Sequence, residues 1–216
     1  MDRSRLEAFS DGVFAVAITL LALNLTVAGP GHIDLLDQLH MRWPAFLAYL
    51  VSFLTIGIIW VNHHALVRTV KIVDRTLLFL NLVLLLFVVL IPFGTATVSD
   101  YLAAGDPGSR KLAMVLYGAV FLGMSVGFSA IFEWTLHGEH VYHPVPPRQR
   151  WRARINFVSG GVVYLVATVV AAFSPIAAFV IIGLVAVYYI FERTPASPDS
   201  GDDEKPAASS SQDPRR

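Results

Sequence analysis

The chain has 216 residues, of which 55% are hydrophobic and 15% charged, and its formal net charge is zero. A soluble domain of this length carries more charge and shorter apolar runs, and a nucleic-acid-binding chain carries a basic excess, so neither class fits. Cysteine is absent, which excludes disulfides, thiolate catalysis and cysteine-ligated metals.

Six apolar stretches follow one another at about 8–28, 42–62, 76–98, 112–135, 155–173 and 175–191. Each approaches the roughly 20 residues that a helix needs to cross a bilayer core. The runs are continuous rather than alternating, so the expected class is all-α with six transmembrane helices, not a barrel. The last two are separated only by Phe173-Ser174-Pro175 and read as a tight helical hairpin. These spans make up a membrane domain over 1–193. Residues 194–216, rich in Pro, Ser and Asp, are too polar to bury a core and are expected to form a disordered cytoplasmic tail.

The first stretch raises the sharpest question. Arg5, Ser10 and Asp11 stand at its mouth, and charges near a membrane core are costly. Asp11 also interrupts the region that a signal peptide would keep most apolar, so no cleavage is expected. At about 100° per residue, Leu20, Leu23 and Val27 fall within about 40° of Val16, with Thr19 about 60° away. Gly12, Phe9 and Arg5 continue that stripe. Ser10 and Asp11 lie more than about 100° from it, on its two flanks, so the polar pair and the apolar ladder face different partners.

Partners for the polar pair occur in the next two stretches. Trp60, His63 and His64 recur at i, i+3, i+4 near the end of the second span, and Asn81 lies just inside the third. With alternating spans these residues share a membrane level with Asp11. A hydrogen-bonded interhelical network of Arg5, Ser10, Asp11, Trp60, His63, His64 and Asn81 is therefore expected, since pairing lowers the cost of burying each group.

The fourth span closes on Glu133 and Trp134, which suit an interfacial anchor. His137, His140 and His143 follow in "HGEHVYH", a histidine-rich loop that invites a metal, but the continuing Pro-Val-Pro-Pro favours an irregular loop. No metal site and no cofactor are expected. Glycine-rich phosphate loops, nucleophile elbows and the His-Glu-x-x-His zinc signature are missing, which argues against an enzyme. The carbonyl filter signature of ordinary potassium channels, TVGYG, is missing as well.

Lys and Arg divide unevenly between the two sides. Arg3, Arg5, Arg68, Lys71, Arg75, Arg148, Arg150, Arg152, Arg154, Arg193, Lys205, Arg215 and Arg216 fall on one side; Arg42, Arg110 and Lys111 fall on the other. The positive-inside rule then makes both termini cytoplasmic, in a multi-pass protein of the cell (plasma) membrane.

Arg-x-x-x-Phe-Ser-Asp at 5–11, followed by "GVFAVAITLLAL" and by Trp60 and His64, resembles the transmembrane protein 175 family in its prokaryotic, single-repeat form. The resemblance implies a potassium-permeable cation channel with no carbonyl filter, assembled as a homotetramer in the lipid bilayer around a pore lined by the first helix. It places Val16 at the ring nearest the cytoplasm, Thr19 at a hydroxyl layer, and Leu20 and Leu23 at further apolar rings, with monovalent cations passing between them. It assigns Arg5, Ser10 and Asp11 to the interhelical network. The alternative is a proton-coupled secondary transporter with an Asp11/His63/His64 relay.

Overall fold

The computed structural model describes residues 2–29, 33–137, 140–142 and 147–191. Seven helices appear among them: α1 (Arg3–Ala22), α2 (Leu35–Met41), α3 (Trp43–Thr69), α4 (Arg75–Ala104), α5 (Pro107–Leu136), α6 (Pro147–Ala171) and α7 (Pro175–Phe191). Their starts are written in Asp and Pro. The carboxylate of Asp34 accepts from the Leu35 amide, that of Asp74 from Leu77, and that of Asp106 from Gly108 and Ser109. Such caps satisfy amides that have no partner within the helix. Pro44, Pro107, Pro147 and Pro175 stand where a helix has no N–H bond to lose.

Helices α3, α4 and α5 are long and apolar enough to cross a membrane, and Val158–Ala171 and Pro175–Ile190 are shorter apolar helices. The protein is all-α and multi-spanning. Each of the six apolar stretches of the sequence holds a helix, and among the described residues the sequence missed only the one short helix α2. The first stretch is displaced from the expected 8–28. Helix α1 begins at Arg3 and ends at Ala22, and its last turn tightens through bonds from the Leu23 and Asn24 amides to the Leu20 and Leu21 carbonyls. Its first three turns carry Arg3, Arg5, Glu7 and Asp11, which dilute the apolar run that marks the other spans. The tail expected at 194–216 and His143 of the histidine loop lie outside the described residues.

Helix α5 is the centre of the packing, laid along α4 on one side and α6 on the other, while α7 packs on α6 and reaches α3 and α5. Glycine makes these approaches close. A Cβ on Gly118 would lie 2.6 Å from the Thr168 hydroxyl of α6, one on Gly127 would lie 3.1 Å from the Leu84 Cα of α4, and one on Gly123 would enter the Phe87 ring. In lipid, where apolar contact between helices has no hydrophobic advantage, this closeness supplies dispersion energy instead. Three buried hydroxyls bring in α3 as well: Ser52 lies 2.7 Å from both Thr95 Oγ1 and Tyr117 OH, linking α3, α4 and α5.

Helix α1 packs on α3 and α4 alone among its substantial contacts, so one of its faces is left without a partner in the protomer. Near the polar end of α1, the turn after α3 pairs with the segment after α5. Val70 and Val141 form an antiparallel bridge, with the Lys71 amide 2.7 Å from the His140 carbonyl. The His140 ring stacks on Trp134 at 4.1 Å.

Candidate ion pathway and its polar anchor

The two faces of α1 are separated by their side chains. Leu6, Ser10, Phe14, Ala17 and Leu21 recur at three- and four-residue steps and are buried against α3 and α4. On the other face Val16 is 56% exposed, Leu20 38% and Leu23 69%, with Phe9, Gly12 and Thr19 exposed in the same stripe. A Cβ on Gly12 would meet nothing within 4 Å. Thr19 uses its hydroxyl proton on the Val16 carbonyl of its own helix, 2.9 Å away. Its oxygen lone pairs therefore remain on the exposed side as acceptors.

The buried face carries the polar anchor. Asn81 of α4 sits between α3 and α1: its Oδ1 accepts from His63 Nε2 at 2.7 Å, and its Nδ2 donates to Ser10 Oγ at 3.0 Å. All three residues are buried. Because Asn Oδ1 only accepts, the contact makes Nε2 the protonated nitrogen of His63. The His63 ring also leans on Phe14, with centroids 5.5 Å apart. A second link runs nearer the surface, where Trp60 Nε1 donates to Asp11 Oδ1 at 2.8 Å. His64 stands beside Trp60, ring to ring at 6.1 Å, and its Nδ1 has no hydrogen-bond partner.

The structure thus divides the residues that the sequence grouped in one layer. Ser10, Asn81 and His63 form one chain of bonds; Asp11 and Trp60 form another, with His64 alongside. Arg5 joins neither. Its side chain is exposed on the stripe with Phe9 and Gly12 and makes no ion pair or side-chain hydrogen bond among the described residues. The reason is angular: Arg5 lies about 140° round the helix from Ser10. Arg3 instead meets Glu7 at 3.5 Å and donates to the Arg68 carbonyl at 3.0 Å. Nor do Asp11, His63 and His64 form one hydrogen-bonded relay, since Asp11 and His63 take different partners. The sequence also passed over the Ser52–Thr95–Tyr117 cluster, whose one signal is two hydroxyls and a phenol each facing inward in an apolar span.

Among the described residues no group of three His, Cys, Asp or Glu stands close enough together to hold a metal. Glu133 does meet Arg154, at Nε 3.0 Å away and again at Nη2, and His137 Nδ1 lies 2.7 Å from the Glu133 carbonyl oxygen.

A family model described as the endosomal/lysosomal potassium channel TMEM175 matches residues 5–92, the segment that holds most of α1, the polar anchor, and α4 as far as Pro92. A potassium channel of Streptomyces collinus is 39% identical over 198 residues, covering 90% of this chain and 94% of its own. The chain belongs to the TMEM175 family. A crystal structure described as a lysosomal potassium-selective channel TMEM175 homolog from Chamaesiphon minutus shares the TMEM175 fold, with TM-score 0.77 and 30% identity over 87% of this chain and 96% of that one. TMEM175 proteins are ion channels, not enzymes.

The chicken TMEM175, named an endosomal/lysosomal proton channel, is 31% identical over 159 residues, and this chain spans about 30% of its length. The mouse, human, rat and zebrafish relatives carry the same name. These names overturn the plasma-membrane location expected from the sequence. The distribution of Lys and Arg distinguishes the two sides of a bilayer, and it carries no information on which bilayer that is.

Proposed function

We infer that this TMEM175-family chain is a potassium-permeable cation channel whose gate is a hydrophobic constriction rather than a carbonyl filter. Six helices, α1 and α3 to α7, span the bilayer within a channel domain over 1–193. Four copies assemble so that the exposed stripes of α1 meet round a central pore. Val16, Leu20 and Leu23 then stack as apolar rings over about 10 Å, with the Thr19 hydroxyls between them.

The observation that carries this reading is the exposed, smooth apolar stripe on a helix whose opposite face is fixed by Ser10, Asp11 and Phe14. Hydrocarbon offers no ligand to replace an ion's water, so narrow rings bar ions by dewetting and conduct when they widen. Thr19 is the one polar layer among them, and its outward lone pairs suit a partly dehydrated cation. Potassium, which gives up water at less cost than sodium, is favoured modestly. The relatives named as potassium channels and the potassium-selective solved homolog support the choice of ion.

Purified protein in liposomes passes potassium down a gradient on this reading, and its mass in detergent is that of four chains. Folded tetramers that leave the gradient intact under every voltage and pH tested would sink it.

A further inference from the structure

Past Ala22 the chain leaves the helix, and three residues beyond Leu23 it reaches Thr26 in a segment without regular structure. Arg42, at the joint between α2 and α3, reaches back to that point. Its Nη1 donates both to the Thr26 carbonyl and, at 2.8 Å, to the Thr26 hydroxyl. Arg42 is exposed. Asp34 caps the neighbouring short helix and Asp37 lies on it, yet among the described residues no carboxylate comes within ion-pair distance of Arg42. The other basic groups of this end, Arg110 and Lys111, open α5, which makes no substantial contact with α1. A permanent positive charge is therefore tied by two hydrogen bonds to the segment that leaves the helix carrying the apolar stripe, four residues past its end at Ala22.

We propose that Arg42 is a conductance-setting residue: in the assembled channel four Arg42 guanidinium groups ring the mouth beyond Leu23 and repel cations that enter there. This rests on the reading that α1 lines the pore. A positive ring lowers the local cation concentration exponentially in its potential, so current entering from the Arg42 side is smaller than current entering from the other. For four unit charges about 10 Å from the axis in water, Coulomb's law with a Debye length of about 10 Å gives roughly a threefold depletion at 0.1 M salt. At 1 M salt, with a Debye length of about 3 Å, the same ring depletes cations by only about 1.1-fold.

The absence of cysteine makes a direct test available, because Arg42→Cys supplies a single thiol. In planar bilayers at 0.1 M potassium chloride, Arg42→Cys should raise unitary conductance from the Arg42 side about two- to threefold and flatten rectification. A trimethylammonium-bearing methanethiosulfonate should return it towards the parent value, and a sulfonate-bearing one should raise it further. At 1 M salt all forms should converge. Arg42→Gln, which keeps an amide donor for Thr26, should show the same rise. If reagents of opposite charge act alike or not at all, or if Arg42→Gln conducts as the parent does at 0.1 M, Arg42 is only a tether for the loop and the proposal is wrong. Leu23→Asn in the same preparations separates the two readings. Altered conductance there with unaltered Arg42 variants removes the ring of charge alone. Unaltered conductance in both removes the α1 lining, and the ring with it.

Discussion

Asn81→Leu probes the buried anchor, because leucine keeps asparagine's branching at Cγ, though with bulkier ends, and removes both of its hydrogen bonds. His63 Nε2 then loses its acceptor at 2.7 Å and Ser10 Oγ its donor at 3.0 Å, in a place where neither is wet. A buried polar group left unpaired costs about 1–3 kcal/mol in water-soluble proteins. In membranes the measured worth of such a bond averages about 0.6 kcal/mol and reaches about 1.7, because the unfolded helices also find partners. Ser10 recovers part of its loss by turning its proton to a carbonyl of its own helix, so His63 bears most of the cost. The expected destabilisation is about 2 kcal/mol, roughly a 30-fold fall in the folded-to-unfolded ratio. Reversible unfolding in mixed micelles, titrated with denaturing detergent, measures it. Asn81→Asp keeps an acceptor for His63 and should lose less. Leu82→Asn, on the exposed side of the same turn, should lose less than either. An Asn81→Leu protein within about 0.5 kcal/mol of the parent would refute the view that these bonds hold α1 to α3 and α4.

Four further outcomes are expected. If α1 lines the pore as proposed, Val16→Asn or Leu23→Asn should raise single-channel conductance and weaken discrimination between potassium and sodium, by letting water wet an otherwise dry ring. Thr19→Val should lower the potassium preference with unchanged tetramer yield, read from reversal potentials in mixed salts. Asp11→Ala strands the Trp60 indole N–H now held at 2.8 Å; it should lower the thermal midpoint of the tetramer, through a loss of about 1–3 kcal/mol, and leave ion preference as it was. Finally, the Ser109 hydroxyl, followed by the Ser109 and Gly108 amides, holds the Asp106 carboxyl below its ordinary range. The cap is at full strength above the unfolded value of about 4 and is lost as pH falls through the lower folded value. Amide exchange at Gly108 and Ser109, corrected for the intrinsic pH dependence, should lose protection only in that acid range.

Helical periodicity carried most of what the sequence disclosed. The Val16–Leu20–Leu23 stripe and its separation from Ser10 and Asp11 follow from the 100° step, and the structure places these side chains on opposite faces of α1. Partner choice did not follow from depth. Asp11 and His63 share a level, but Trp60 takes one and Asn81 the other, and only side-chain direction decides between them. The Ser52–Thr95–Tyr117 cluster was silent because a hydroxyl in a membrane helix so often bonds its own backbone, as Thr55 and Thr168 do here. The end of α1 at Ala22 was silent for another reason: Leu23, Leu25 and Val27 keep the run apolar after the helix has stopped.

The glycines of α5 have a consequence for how such a chain changes over generations. On the proposed reading, a ring of hydrocarbon at Val16 or Leu23 works through its bore and its dryness, so valine, leucine and isoleucine are neighbours there, and a lineage can retune its conductance by small steps. Gly118 and Gly127 allow no comparable steps. The smallest available change adds a methyl group where Thr168 or the backbone of Leu84 already stands, and helix α6 or α4 would have to shift by a few tenths of an ångström or more to admit it. Innovation in a scaffold of this kind is therefore expected on the face of α1 that the protomer leaves open, while the tightly packed inner helices are held fixed by selection against the first step.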